Sequence, residues 1–371
     1  MPLALTTVFA DVPDPRIETA NKLHKLVDIL VIATCATIAG ADGWEQVAEY
    51  GRAKEAFFRR FLALPNGIPS HDTFERVFAK LDPDAFADRF GRWMERLCDS
   101  AGLVHVAIDG KSVRGSAKDT FTGCLHVVEA WAVENRLILG QRSVPEGGHE
   151  ITTVPDLLAV LDLTGALVTI DAAFCQKAIV EQIRARGGDY LVCVKGNQKG
   201  LHEAIAGVFE RAGDAEFAGC DMAGEVGAGH GREEERYVTV VRDPEGLPAG
   251  WADVGSAALV CRERQVTGQK NQSAGWYYLT SLRVSAAQLA GYIRAHWGIE
   301  NGLHWCLDVS FREDQSRTRV GHAAANLALV RRVALSLLKR AGTAGSIQTR
   351  RMRAAWDDDY LLQVLQGITA E

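Results

Sequence analysis

The sequence predicts a mixed α/β fold that is preceded by an all-helical segment. Up to about residue 100, apolar residues recur at intervals of three or four, which is the period of amphipathic helices. From about residue 104 the pattern changes to short β-branched runs alternating with helical patterns, which indicates an α/β sheet. Three of these runs come before the first intervening helix, so we expect the sheet to begin with a meander.

The N-terminal segment has the pattern of a helical bundle. Apolar stripes predict helices near 23–38 and 44–50, and a loop with two prolines follows at 65–69. Ser70 or Asp72 can cap the next helix, because the side-chain oxygen of either residue can accept a free backbone N–H. Asp82-Pro83 ends that helix, and a further apolar stripe begins at Phe86. We therefore predict a helical domain over residues 1–100 and an α/β domain over residues 101–371.

The α/β part contains further predicted elements. Strands are expected near 104–109, 125–133, 136–144, 166–171 and 189–195, and helices near 152–161, 176–186 and 199–211. Residues 213–236 are rich in glycine and charge and break this pattern. Short strands then follow at 237–241, 256–264 and 276–282, and helices return from Ser285 to the end.

Composition limits the classes of partner. The 371 residues are 47% hydrophobic, enough for two or three domains. The net charge of −6 argues against nucleic acid bound over the whole surface, but local basic patches could still bind it. The eight cysteines form no C-x-x-C pair, as expected for reduced thiols in the cytoplasm. No membrane partner is expected, because the most apolar stretch, 26–40, is too short to cross a bilayer and no secretory leader precedes it.

Two aspartates are each expected at the end of a strand. Asp109 follows Val-Ala-Ile and Asp171 follows Val-Thr-Ile, and Gly110 lets the backbone turn closely beside the first. Ligands of α/β sheets gather at the carboxyl ends of the strands, so we expect both carboxylates at one rim. A single aspartate at a strand end is common, and the pair is the stronger signal.

Glu300 is the third candidate acid. It lies in a helical pattern that starts near Ala286, on one face with His296 and His304. Three hard carboxylates suit two Mg²⁺ or Mn²⁺ ions, and such ions support phosphoryl transfer on nucleic acid. Two alternatives remain open, namely zinc held with the two histidines and a salt bridge from Glu300 to Arg294 or to a neighbouring domain.

Clusters of basic and polar residues lie close to Asp109 and Glu300 and just beyond the strand 190–194, where a DNA backbone would run past the candidate site. The candidate DNA contacts are Lys111, Arg114, Lys195, Asn197, Gln198, Lys199, Arg294, His296, Arg312, Arg317 and Arg319. The alternative is that each group is a solvated surface.

Several long motifs resemble one family. AIDGKSVRGS, the run from LDLTGALVTIDAAFCQ to GGDYLVCVKGNQ, and HWGIENGLHWCLDVSFREDQSR are similar to the H-repeat-associated branch of DDE insertion-sequence transposases. HKLVDILVIATCATIAGADGWEQVAEYGRA and LPNGIPSHDTFERVF resemble the helical domain before its catalytic core. The similarity runs from about residue 11 to 367.

The resemblance implies a ribonuclease-H-like fold, with a mainly β insertion at about 212–275. The family's DDE residues fall on Asp109, Asp171 and Glu300 as catalytic and metal-binding residues. In the wider superfamily a Tyr-x-x-Arg-x-x-x-Glu signature precedes a lysine, whereas Ile293, His296 and Leu307 occupy the Tyr, Arg and Lys positions here.

The resemblance also implies an activity, namely Mg²⁺-dependent cleavage and strand transfer of an insertion sequence. The expected partners are terminal inverted repeats and target DNA, bound by a homodimer in the bacterial cytoplasm. Two other functions compete with this one: a catalytically inactive or domesticated DNA-binding derivative, and a ribonuclease-H-like DNA endonuclease that cuts without joining.

The two ends of the chain carry further expectations. The N-terminal domain is expected to bind DNA ends or to help assemble the complex, and the basic residues that it offers are Lys22, Lys25, Arg52, Lys54, Arg59 and Arg60. Helices near 323–341 and 348–366 are expected to show DNA the side chains of Arg331, Arg332, Lys339, Arg340, Arg350, Arg351 and Arg353. Asp308 is expected to support the site through Arg312 or His304, the alternative being that it replaces Glu300 as the third ligand.

Overall fold

The computed structural model describes residues 4–98, 104–117, 123–229, 232–266 and 272–366. The helices are α1 (Ala4–Ala10), α2 (Leu26–Ile38), α3 (Trp44–Ala53), α4 (Glu55–Phe58), α5 (His71–Lys80), α6 (Pro83–Leu97), α7 (Glu150–Val160), α8 (Lys177–Ala185), α9 (Lys199–Asp214), α10 (Ala286–His296), α11 (Trp305–Ser310), α12 (Ala323–Arg340), α13 (Ile347–Trp356) and α14 (Asp358–Gln366). The strands are β1 (His105–Val113), β2 (Leu125–Ala132), β3 (Leu137–Ser143), β4 (Leu167–Ile170), β5 (Asp189–Val194), β6 (Asp221–Gly229), β7 (Arg232–Arg242), β8 (Ser256–Val266) and β9 (Gln272–Thr280).

The chain divides into two compact units, and the division falls within β1. Unit 1 comprises Met1–Ser100, Gly110–Val160 and Ile299–Glu371. Unit 2 comprises Ala101–Asp109 and Leu161–Gly298.

Unit 1 is built around two helices that are buried along most of their length. Helices α2 and α12 contact each other; α2 is mainly apolar, whereas α12 also buries the polar side chains of Asn326, Arg331 and Arg332. Ser70 caps α5 through its side-chain oxygen, which confirms one of the two candidate caps, and Asp82 caps α6, so that α6 begins at Pro83, earlier than the stripe expected from Phe86. A Cβ at Gly91 would lie 2.3 Å from the Leu139 carbonyl oxygen, so glycine is what allows α6 to lie directly on β3.

Unit 2 contains a mixed sheet in the order β1-β4-β5-β9-β8-β7-β6. Strand β4 pairs in parallel with β1 and β5, and the pairs from β5/β9 onward are antiparallel. In unit 1, β2 and β3 form the antiparallel pair of the predicted meander. The predicted α/β class, with a β-rich insertion formed by β6 to β9, is thus confirmed.

Two predicted boundaries were wrong. The glycine-rich run expected to break the pattern forms β6 and the start of β7, which pair along all nine residues of β6. Cross-strand pairing overrides the low strand propensity of glycine here. The single helix expected through Glu300 is also interrupted, because Glu300–His304 is a π-helical turn that precedes α11.

Candidate active site

Asp109 and Asp171 occupy equivalent positions on neighbouring strands of unit 2. Ile108 pairs with Ile170 in the parallel β1/β4 register, and each aspartate is the next residue along. Adjacent strands are about 4.8 Å apart, and residues in parallel register point to the same face. The structure therefore brings these two predicted acids together. Strand β1 continues to Val113, so Asp109 lies within a strand and does not close one as expected.

Asp171 is held at the start of a 3₁₀ turn. Its backbone is extended, and the turn Ala172–Phe174 follows at once. The Lys195 Nζ lies 3.4 Å from Asp171 Oδ1, and both side chains are partly exposed. The carboxylate thus already faces one cation of the protein.

Asn197 and Gln198 hold the loop that follows Asp171. The Asn197 side-chain amide donates to the Ala172 carbonyl at 2.7 Å, and that of Gln198 donates to the Cys175 carbonyl at 2.9 Å. Both were expected to contact DNA. Their amide groups instead fix the backbone next to a candidate metal ligand, a role that sequence spacing alone did not indicate.

A buried polar chain lies beneath this strand pair. Thr169 Oγ1 is 2.7 Å from His105 Nε2 and 2.9 Å from His296 Nδ1, which links β1, β4 and α10. Burial lowers the pKa of His105 to about 3 and that of His296 to about 4. His296 was expected to contact DNA, but its ring is inside unit 2 and bonded to Thr169.

A cavity of about 430 Å³ in unit 2 adjoins Lys195. Its lining includes Arg236, Arg262, Trp276 and Trp297, and the Arg262 guanidinium lies 5.1 Å from the centre of the Trp276 ring. Aromatic faces beside guanidinium groups are the surfaces on which nucleic-acid bases stack and phosphates bind.

Glu300 begins the π-helical turn in unit 1, and its side chain is exposed. Among the described residues, no hydrogen bond or ion pair involves its carboxylate. The salt bridge considered between Glu300 and Arg294 does not form, because Arg294 pairs with Glu225 of β6 in unit 2.

The histidines that flank Glu300 are both engaged by protein groups. His304 Nε2 lies 3.2 Å from Glu129 Oε2, and His296 is bonded to Thr169 as described above. Across the described parts of the chain, no group of three or more His, Cys, Asp or Glu side chains is placed to hold a metal ion.

Asp308 has a partner that the sequence spacing did not suggest. Both of its carboxylate oxygens accept from Lys111 Nζ, at 2.8 and 3.0 Å. Lys111 is only 7% exposed, so the expectation that it contacts DNA was wrong. The expected partners Arg312 and His304 bond instead to Gln315 and Glu129.

Two loops of unit 1 that meet at Gly115 carry arginines, of which Arg114 and Arg317 are exposed. Arg319 donates twice to the Gly115 carbonyl, at 3.1 and 3.2 Å, and the exposed Arg114 lies 3.5 Å from Asp314. A Cβ at Gly115 would lie 2.4 Å from the Ser316 carbonyl oxygen, so only glycine permits this close approach. The exposed Arg317 follows on the second loop.

The other basic residues fall into two groups. At the N-terminus, Lys22, Arg52, Lys54 and Arg59 pair with nearby acids. In the C-terminal helices the prediction of a basic surface was wrong for Arg331, Arg332 and Arg351, which are at most 3% exposed. Arg332 instead bonds to the buried carboxylates of Glu129 and Glu313.

Comparison with known families decides the class. The Transposase DDE domain model matches residues 100–337, and a DDE_Tnp_1-associated model matches residues 6–94. The chain belongs to the DDE transposase family. It is 36% identical to the H repeat-associated putative transposase YhhI of Escherichia coli K12, over 96% of each chain. It is also 43% identical to an uncharacterized protein in the dhlA 3′ region of Xanthobacter autotrophicus, over 70% of this chain and 89% of that one.

Other relatives in the family are named either as putative transposases or as an inactive transposase. The putative transposase YncI of Escherichia coli O157:H7 is 37% identical, over 95% of this chain and 92% of its own. An inactive transposase, YbfQ of Escherichia coli K12, is 43% identical over 18% of this chain. Among solved structures, a piggyBac transposase synaptic complex with hairpin DNA has a TM-score of 0.44 at 8% identity, covering 97% of this chain and 77% of that one. That likeness is too low to carry an argument.

No helix in the described ranges is long and apolar enough to cross a membrane.

Proposed function

We propose that this family member is an active transposase that cuts DNA at the ends of an insertion sequence and transfers the cut strand. The observation that supports this most is the parallel register that makes Asp109 and Asp171 neighbours. Paired carboxylates on adjacent strands are suited to binding a divalent cation, and the family model extends over both residues.

Asp109, Asp171 and Glu300 would hold two Mg²⁺ or Mn²⁺ ions. Their oxygens are the hard ligands that these cations prefer, and the ion pair of Asp171 with Lys195 is consistent with a cation at that carboxylate. When bound, the ions activate the attacking hydroxyl and stabilise the leaving oxygen. The protein's own task is to fix the carboxylates, which Asn197 and Gln198 do for the loop after Asp171.

DNA would lie against both units, with terminal inverted repeats and target DNA bound by a homodimer in the bacterial cytoplasm. In unit 2 the exposed Lys195 and Lys199 lie just past β5, next to the loop after Asp171. In unit 1, Arg114, Arg317 and Arg319 line the two loops that meet at Gly115. Such contacts to phosphate position the duplex without reading its sequence.

A strand-transfer assay tests the proposal. Labelled duplexes that carry the element's terminal inverted repeats are incubated with the full-length protein in Mg²⁺, and cut and joined products are separated. Asp109→Asn, Asp171→Asn and Glu300→Gln should each abolish both products while DNA binding persists. Glu225→Gln is the matched control, because this acid pairs with Arg294 and has no proposed part in the chemistry.

The same assay separates the competing functions. Cutting without joining in the wild type would identify an endonuclease, and binding without cutting would identify an inactive derivative. Normal joining by all three acid variants would show that the metal ligands are misassigned.

A further inference from the structure

The π-helical turn Glu300–His304 is held from two sides by side chains of unit 1. The turn widens the helix, so that the Trp305 amide donates to the Glu300 carbonyl, five residues back. Such turns are rare, cost stability and are frequent at functional sites. Persistence of this turn therefore requires support from the residues around it.

The first support is an ammonium group. Lys339 Nζ of α12 donates to the carbonyl of Gly302, in the middle of the turn, and lies 4.9 Å from the centre of the Trp131 ring. Lys339 is half-buried, and burial lowers the pKa of its ammonium group to about 8, which reflects the desolvation cost of the charge. Lys339 therefore makes these contacts although its ammonium group loses hydration, which a fully exposed lysine would keep.

The second support is a buried carboxylate. Glu129 of β2 is fully buried and accepts from His304, the last residue of the turn, at 3.2 Å. Its other oxygen accepts from Arg332, which also bonds to Glu313 at 2.6 Å. Burial raises the pKa of Glu129, but the Arg332 charge outweighs this and the net pKa is lowered. Glu129 is thus an anion whose place is fixed by a guanidinium.

Both supports come from the same two elements. Arg332 and Lys339 are seven residues apart on α12, which is close to two helical turns, so they lie on one side of that helix. Glu129 and Trp131 are two residues apart on β2. Helix α12 and strand β2 therefore contact the middle and the end of the turn that begins at Glu300.

We propose that Lys339 and Glu129 are positioning residues that hold the Glu300 turn in its π-helical form and so present the Glu300 carboxylate to metal. This inference rests on the proposed function, in which Glu300 is a metal ligand. Neither residue needs to touch DNA or metal. Groups that orient a ligand in this way typically change metal affinity or activity by 10- to 100-fold when they are replaced.

The test uses the full-length protein with Lys339→Met, which keeps the length of the side chain and removes the donor. Arg340→Met is the matched control, because Arg340 is the next residue on α12 and donates to Leu97, away from the turn. Three quantities are measured: the Mg²⁺ concentration for half-maximal cleavage, the maximal rate, and hydrogen–deuterium exchange of the amides of 303–310. Binding of Mn²⁺, followed by electron paramagnetic resonance, gives a readout that does not need activity.

Lys339→Met should raise the half-maximal Mg²⁺ concentration at least tenfold, weaken Mn²⁺ binding and speed amide exchange in the turn. Arg340→Met should do none of these. A folded Lys339→Met protein with Mg²⁺ dependence and exchange within twofold of wild type would overturn the proposal.

Glu129→Gln, which keeps the shape of the side chain and one acceptor, should act in the same direction and serves as the test if Lys339→Met does not fold. If the wild type does not cut DNA, the proposed function fails, while exchange and Mn²⁺ binding still decide whether Lys339 positions the turn.

Discussion

Lys195 Nζ lies 3.4 Å from Asp171 Oδ1, so the carboxylate proposed to bind metal is paired with a lysine of its own unit. Both groups are partly exposed, and such pairs contribute only about 0–1 kcal/mol. The lysine can therefore yield its place to a divalent cation at little cost. Under the proposed function, Lys195 would compete weakly with metal for Asp171 and could contact a DNA phosphate.

Lys195→Met should tighten metal binding and weaken DNA binding. Removing the competing ammonium should lower the half-saturating Mn²⁺ concentration by up to about fivefold, which corresponds to 1 kcal/mol. The salt dependence of DNA binding should lose about 0.9 from its logarithmic slope. Metal titration and binding at several salt concentrations check both effects. Lys199→Met, which removes a weak contact to Glu203, should leave metal binding unchanged.

Acid should destabilise the protein through His105 and His296. Burial lowers their pKa to about 3 and about 4, so the unfolded chain takes up protons below pH 6.5 before the folded chain does. The stability from these neutral rings is complete above pH 6.5 and is lost as pH falls from 6.5 towards 4. Urea unfolding at pH 7.5, 6.0 and 5.0 measures this. His296→Gln should have a smaller loss between pH 6.5 and 5 than wild type, and equal losses would contradict the assignment.

Replacing exposed arginines of unit 1 should reduce the salt dependence of DNA binding, whereas replacing the buried Arg332 should not. Arg114→Gln with Arg317→Gln should reduce the salt slope by about 1.8 in total, because each phosphate contact contributes about 0.9. Arg332→Met should not change that slope. It should instead destabilise the fold by about 3–5 kcal/mol, because it leaves two buried carboxylates without their cation. Filter binding at several salt concentrations and urea unfolding distinguish the two effects.

Cleavage activity in Mn²⁺ compared with Mg²⁺ should show which of Glu300 and Asp308 is the metal ligand. Glu300→Cys should lose cleavage in Mg²⁺ and regain part of it in Mn²⁺, which is softer and accepts sulfur better. Asp308→Asn should keep part of its Mg²⁺ activity, because Asp308 is bonded to Lys111 and its role there is structural. Loss of strand transfer in a folded Asp308→Asn protein, together with an active Glu300→Gln protein, would exchange the two assignments.

Local sequence patterns predicted most of the fold. The cap at Ser70, the apolar strands before Asp109 and Asp171, and the short strands at 237–241, 256–264 and 276–282 all follow from patterns within a few residues. The length of β1 and the strand β6 could not be predicted in this way. Their hydrogen bonds are made to partners distant in sequence, which override local propensity.

The roles of the polar residues also divide into those that the sequence indicates and those that depend on the tertiary structure. The sequence by itself determined the α/β class, the resemblance to DDE transposases and the expectation that Asp109 and Asp171 lie at one rim, because hydrophobic periodicity is encoded along each strand. The register that pairs Ile108 with Ile170 joins distant residues and came from the tertiary structure. Only the tertiary structure decided which charges are buried. Arg332, Lys111 and Lys339 read as surface cations in the sequence, yet each is bonded inside unit 1 to groups about 40 to 200 residues away. A charge is buried stably only where the interaction with its partner offsets the free energy lost on desolvation. That partner is known only once the chain has folded.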